Sequence, residues 1–139
     1  MRIRSVDDVV LVFIEPEHVP TDEEMQRWYS ALLVPGVRNT LVMSVGPVTS
    51  APDRRRATVD VLKRQGIRLI AVSNHRHNRG LLGMFGWLGV PVTAYSWGRL
   101  EDAARDVASR PELVPAIVRE ALAMRAKSPA AVGLGPEEG

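Results

Sequence analysis

Residues 66–98 read GIRLIAVSNHRHNRGLLGMFGWLGVPVTAYSWG, and the succession of residue types in them decides the fold class. Ile67, Leu69, Ile70, Ala71 and Val72 alternate too little for a strand with one wet face. They predict a strand covered on both faces, as in a mostly parallel sheet. The polar segment Ser73–Gly80 follows as a loop or a first helical turn. From Gly80 to Gly98 there is no charged residue, and Leu81, Leu82, Met84, Phe85, Trp87 and Leu88 leave no polar face for the helix expected there. Such a helix is either buried all round or offers an apolar patch to a partner. Val90–Tyr95 returns to strand composition.

Working back toward the N-terminus, Ser50-Ala51-Pro52-Asp53 has the grammar of a helix start: a capping hydroxyl, a proline in the first turn and an acid. Ala57, Thr58, Val61, Leu62 and Gln65 mark its inner stripe, and Gly66 ends it. Asn39–Val45 reads as a strand, with Gly46-Pro47 as its exit. Thr21-Asp22-Glu23-Glu24 is a capping box, after which Met25, Trp28, Tyr29, Leu32 and Leu33 recur at helical spacing. Val9–Ile14 is a strand, and Asp7-Asp8 predicts a hairpin turn to a short edge strand, Arg2–Val6. Working forward, a capped helix from Ser96 carries Leu100, Ala103, Ala104 and Val107. A last helix over Ser109–Arg125 turns Leu113, Ile117, Ala121, Leu122 and Met124 inward, with Pro115 near its start. The alternation predicts one α/β domain, residues 1–126, with a mixed four- to five-stranded sheet and surrounding helices. Residues 127–139, rich in Pro, Gly and Ala and without periodicity, are expected to be a flexible tail.

A chain of 139 residues suffices for one core. With 45% hydrophobic and 24% charged residues it has the composition of a globular domain rather than a disordered chain. It has no cysteine, which removes disulfides, thiolate metal sites and Cys nucleophiles. All but two of its 18 basic residues are arginine, and a net charge of +2 is too small a field to argue for nucleic-acid binding. Asp7 and Asp8 interrupt any signal-peptide reading of Met1–Arg4, so a cytoplasmic protein is expected. Pro91 and the spaced glycines break the charge-free run, so a membrane span is not.

The order of these segments, with the GIRLIAV strand, the arginine-bearing loop, the apolar helix, the Val90-Pro91-Val92-Thr93-Ala94-Tyr95 strand and the Leu100-Glu101-Asp102-Ala103-Ala104 helix, resembles the bacterial STAS-like domains of anti-sigma-factor antagonists and related regulatory proteins. The resemblance spans roughly Asp8 to Val107. It implies a STAS-like fold and a non-catalytic regulatory or protein-interaction module in signalling. It also implies that Ser50 stands where phosphorylatable members carry a serine opening a helix. Thr49 takes the place of the family's preceding Asp, and Ala51 or Pro52 that of its following Gly.

Four groups of residues are candidate sites. Ser50 or Thr49 could take a phosphate at a helix N-terminus near Arg54–Arg56, or Ser50 could simply cap the helix. The three arginines span more than half a turn and read as a solvated face, with at least one pairing with Asp53 or Asp60, in preference to an anion or nucleic-acid site. His75, Arg76, His77 and Arg79 lie after the central strand and read either as a plain surface loop or as a place where an anion could bind; the neighbouring arginines and the lack of an acid oppose a metal. Gly80, Gly83, Gly86 and Gly89 fall every third residue, fitting either tight packing on the sheet or a docking surface formed by Leu81, Met84, Phe85, Trp87 and Leu88. The expected partner is a protein or a second copy in a homodimer, with no cofactor. A different class of function, a small anionic-ligand-binding domain or hydrolase, would place its site among Ser44–Ser50 and Ser73–Arg79. No nucleophile elbow, phosphate loop or metalloprotease motif is present.

Overall fold

The computed structural model describes residues 1–49 and 51–128. Five strands, β1 (Arg2–Val6), β2 (Val9–Ile14), β3 (Asn39–Ser44), β4 (Arg68–Val72) and β5 (Val92–Tyr95), form one sheet in the order β1-β2-β3-β4-β5. β1 runs antiparallel to β2 across a turn in which Asp7 takes a positive φ of 55°, and the other pairings are parallel. The helices are α1 (Asp22–Leu32), α2 (Pro52–Gln65), α3 (Arg76–Trp87), α4 (Leu100–Val107) and α5 (Val114–Ala126).

Because the parallel strands advance in one direction and their crossovers share one hand, α1, α2 and α3 fall on the same face. There Met25, Trp28, Leu32, Leu62 and Phe85 pack on Val10, Val12, Leu69 and Ala71. α4 and α5 cover the other face, where Leu100, Ala104, Ile117 and Met124 meet Leu11, Phe13, Leu41, Met43, Ile70 and Val72. All six residues of β2 are buried, and of β4 only Arg68 keeps partial exposure, as a strand sandwiched between two helical layers requires.

Local chemistry explains the ends. Thr21 Oγ1 accepts from the Glu24 backbone N at 3.1 Å while Glu24 Oε1 accepts from the Thr21 N at 2.8 Å, the reciprocal capping box that opens α1. Gly66 closes α2 in the left-handed region, φ 64°. The N-cap of α2 is Ala51, whose methyl offers no oxygen, rather than Ser50. The inner stripe of α2 is Thr58, Val59 and Leu62, with Ala57 and Gln65 exposed.

Of the two readings of Ser73–Gly80, the helical one holds from Arg76: α3 begins there, five residues before its apolar run, because His75 caps it, the His75 Nδ1 accepting from the His77 N at 3.3 Å. Two further expectations are corrected. Ser96 leads into a 3-10 turn, Trp97–Arg99, before α4, and Trp97 is buried with its Nε1 donating to the Ser44 carbonyl at 2.8 Å. Leu122 of α5 is exposed, since a helix on this face has room inward only for Ile117, Ala121 and Met124. The expected tail beyond Ser128 lies outside the described residues.

Candidate functional site

The register of the parallel strands brings their C-terminal ends level: Ile14 pairs with Ser44, and Met43 with Val72. The strand order never reverses, so this sheet has no switch-point crevice of the doubly wound kind. Instead, a cavity of about 90 Å³ lies between the sheet and its helical layer at this end. Its floor is Ile14, Val42, Ser44, Leu69, Ala71 and Ser73, and its walls include Met25 and Trp28 of α1, Arg54 and Thr58 of α2, and Leu81, Leu82 and Phe85 of α3. Ala71, the smallest of the floor residues on β4, sits where a longer side chain would fill the space.

One end of the cavity is held by a polar knot. Asn78, 4% exposed, directs its Nδ2 at Ser44 Oγ (2.9 Å), the Gly46 carbonyl (2.8 Å) and Ser73 Oγ (2.9 Å), while its Oδ1 accepts from the Val48 backbone N at 2.8 Å. This ties α3 to the ends of β3 and β4. On the α1–α2 side, Thr58 Oγ1 donates to the Arg54 carbonyl at 2.9 Å. Its single proton is thereby used, so Tyr29 OH donates to Thr58 Oγ1 at 2.7 Å. Burial raises the Tyr29 phenol above its ordinary range, with the Thr58 bond and Arg54 pulling the other way, so it stays a donor at neutral pH.

Arg54 stands apart from these satisfied groups. Its Nη2 meets Asp22 Oδ1 at 2.9 Å, across to α1, rather than Asp53 or Asp60. Asp60 instead pairs with Arg64. Among the described residues, Arg54 Nη1 is the one buried side-chain polar atom with no hydrogen-bond partner. Orphaning a donor of a charged group is costly, so the atom marks a place where a complementary acceptor would be stabilised.

The structure separates the sequence-derived candidates. Thr49 is exposed and lines the cavity, whereas Ser50 lies outside the described residues. His75, Arg76, His77 and Arg79 are all exposed; the His75 ring is used as a cap, and no group of three metal-ligating side chains exists among the described residues. The proposed docking set divides in two. Phe85 is 9% exposed and belongs to the core, and Leu81 is half-buried on the cavity wall, because α3 lays this stripe on the sheet. Phe85 is therefore not part of an outer face. Met84, Trp87 and Leu88 do point outward, Trp87 with 93% exposure. A Cβ added at Gly80, Gly83 or Gly86 would meet nothing within 4 Å, so these glycines do not serve close packing on the sheet. Only Gly89, at φ 95°, needs glycine for its backbone.

Sequence reasoning missed Asn78 and Trp97 as structural anchors, and Arg54 as a cavity residue. Comparison with family models, with curated proteins and with solved structures found no match. Among the described residues, no helix is long and apolar enough to cross a membrane.

Proposed function

We propose that the chain is a non-catalytic regulatory module of STAS-like type, working in the cytoplasm and self-associating through the outer face of α3. The carrying observation is Trp87, 93% exposed on α3, where the outward residues from Gly80 onward, Gly80, Gly83, Met84 and Gly86, and the capping Leu88 carry no charge, while the exposed Arg76, His77 and Arg79 are confined to the start of the helix. A contiguous apolar patch of this kind is unfavourable against water and is the usual mark of an interaction surface. The open glycines let a second helix approach closely, and a large aromatic at the end of the face gives an anchor. β5, which α3 packs against, is also one of the two edge strands of the sheet, so the same side of the molecule carries both features. A two-fold pair would bury the same face of both copies. The alternative of a small anionic-ligand-binding domain is favoured by one observation, the cavity beside Arg54.

Sedimentation velocity over a concentration series, on wild type beside Trp87→Glu, tests the reading. The wild type is expected to dimerise as concentration rises, and the variant to stay monomeric with an unchanged far-ultraviolet circular dichroism spectrum. Because Trp87 touches almost nothing within its own chain, the substitution spares the fold. A wild type that remains monomeric throughout overturns self-association.

A further inference from the structure

We propose that the cavity between the sheet and α1, α2 and α3 binds a short-chain carboxylate, its anionic head on the Arg54 guanidinium and its alkyl tail between Ala71 and Phe85. Size, charge and surroundings agree on this chemistry. A cavity of about 150 Å³ accepts benzene, so the roughly 90 Å³ here suits a smaller apolar group, an alkyl chain of about four carbons. The wall is mostly apolar, so a strongly hydrated ion with no tail would gain little from it.

The head group follows from Arg54. Its Nη2 is committed to Asp22, whose carboxylate is 93% exposed and so screened by water, while Nη1 is buried and unpartnered among the described residues. Nη1 has almost no accessible surface as the side chain stands, so the guanidinium, which borders the cavity, turns toward it to meet a carboxylate oxygen in a charge-assisted bond; a neutral alcohol gives a weaker one. The protein need supply no proton and no reaction. The ligand is recognised by charge at one end and by volume at the other. This goes beyond self-association at α3 and does not depend on it.

Isothermal titration calorimetry with sodium butyrate, acetate, 1-butanol and inorganic phosphate on the wild-type protein tests the assignment, with two variants beside it. Butyrate is expected to bind saturably, about tenfold more tightly than acetate, which lacks two methylenes, and about tenfold more tightly than 1-butanol, which lacks the charge. Arg54→Met should bring butyrate down to the affinity of 1-butanol. Ala71→Val should weaken both without lowering the melting temperature, because it fills the tail's space without touching the head. Absence of saturable butyrate binding overturns the proposal, as does acetate or phosphate binding as tightly as butyrate, or an unchanged affinity in Ala71→Val. Should Arg54→Met not fold, the comparison of the four probes on wild type still decides.

Discussion

Asn78 is the residue on which the strand ends converge. Its amide orientation is fixed by chemistry: the Val48 N–H can only face an oxygen, and the Gly46 carbonyl can only face the NH2 group. Two hydrogens are offered to three acceptors, so Ser44 and Ser73 complete the arrangement by rotating their hydroxyls. Asn78→Ala removes all of this in a buried place and leaves the Val48 N–H and Gly46 carbonyl without their partner. The expected cost is about 2–3 kcal/mol in urea unfolding, against well under 1 kcal/mol for a surface change such as Arg79→Ala. A cost below 1 kcal/mol for Asn78→Ala would mean that the loop holds its shape without the knot. Nothing in the sequence singled Asn78 out, because its partners lie up to 34 residues away along the chain. The polar stretch Ser73–Gly80 looks like an ordinary loop until β3 and β4 are set side by side.

At the scale of elements, the glycines of α3 separate what is structural from what faces outward. An interior helical glycine costs about 1 kcal/mol relative to alanine, and only a neighbour in the way would forbid the replacement. No neighbour lies within 4 Å of the Cβ position at Gly83. Gly83→Ala is therefore expected to stabilise the monomer by about 0.5–1 kcal/mol, read as a rise in melting temperature, while weakening the self-association that close helix approach would allow. Gain of stability with unchanged association would move the interface off the glycine face. Elements whose signals are local were legible in the sequence: the Thr21–Glu24 capping box, the Gly66 stop and the unbroken apolar run of β4 each lie within a few residues. The start of α3 was not, because its first turn is basic and polar and its cap is a histidine, an uncommon capping residue. The facing of α3 was not legible either. A helix apolar all round carries no record of which side meets the sheet, so Phe85 and Trp87 read alike although one is buried and the other bare. The cavity was still further from view, since strands and helices from well-separated parts of the chain enclose it.

Across the whole molecule, one carboxylate fastens the chain's first strand and first loop to the helical layer that roofs the cavity. Glu24 Oε2 accepts from the Met1 ammonium at 2.6 Å, and its Oε1 meets the Thr21 N and His18 Nε2, each at 2.8 Å. Burial by itself would raise the Glu24 carboxyl. The bonds from the Met1 ammonium, the Thr21 backbone and His18 outweigh that and bring it down to about 2 from an ordinary 4.5. A carboxyl lowered in the folded state adds stability that is fully present above the unfolded value, near 4.5, and is lost as pH falls toward about 2. Glu24→Gln keeps the shape and removes the charge. Its cost relative to wild type is expected to be about 2 kcal/mol at pH 7 and to shrink steadily between pH 4.5 and pH 2.5, as the carboxyl of the unfolded wild type takes up a proton while the folded one stays ionised. Urea unfolding of both proteins at pH 7, 4 and 3 measures the difference directly. A gap of the same size at pH 3 as at pH 7 would assign the loss to packing around Met25 and Trp28 instead. A closing gap would identify the Glu24 cluster as the acid-sensitive fastening of α1, and so of the wall that Met25 and Trp28 contribute to the cavity.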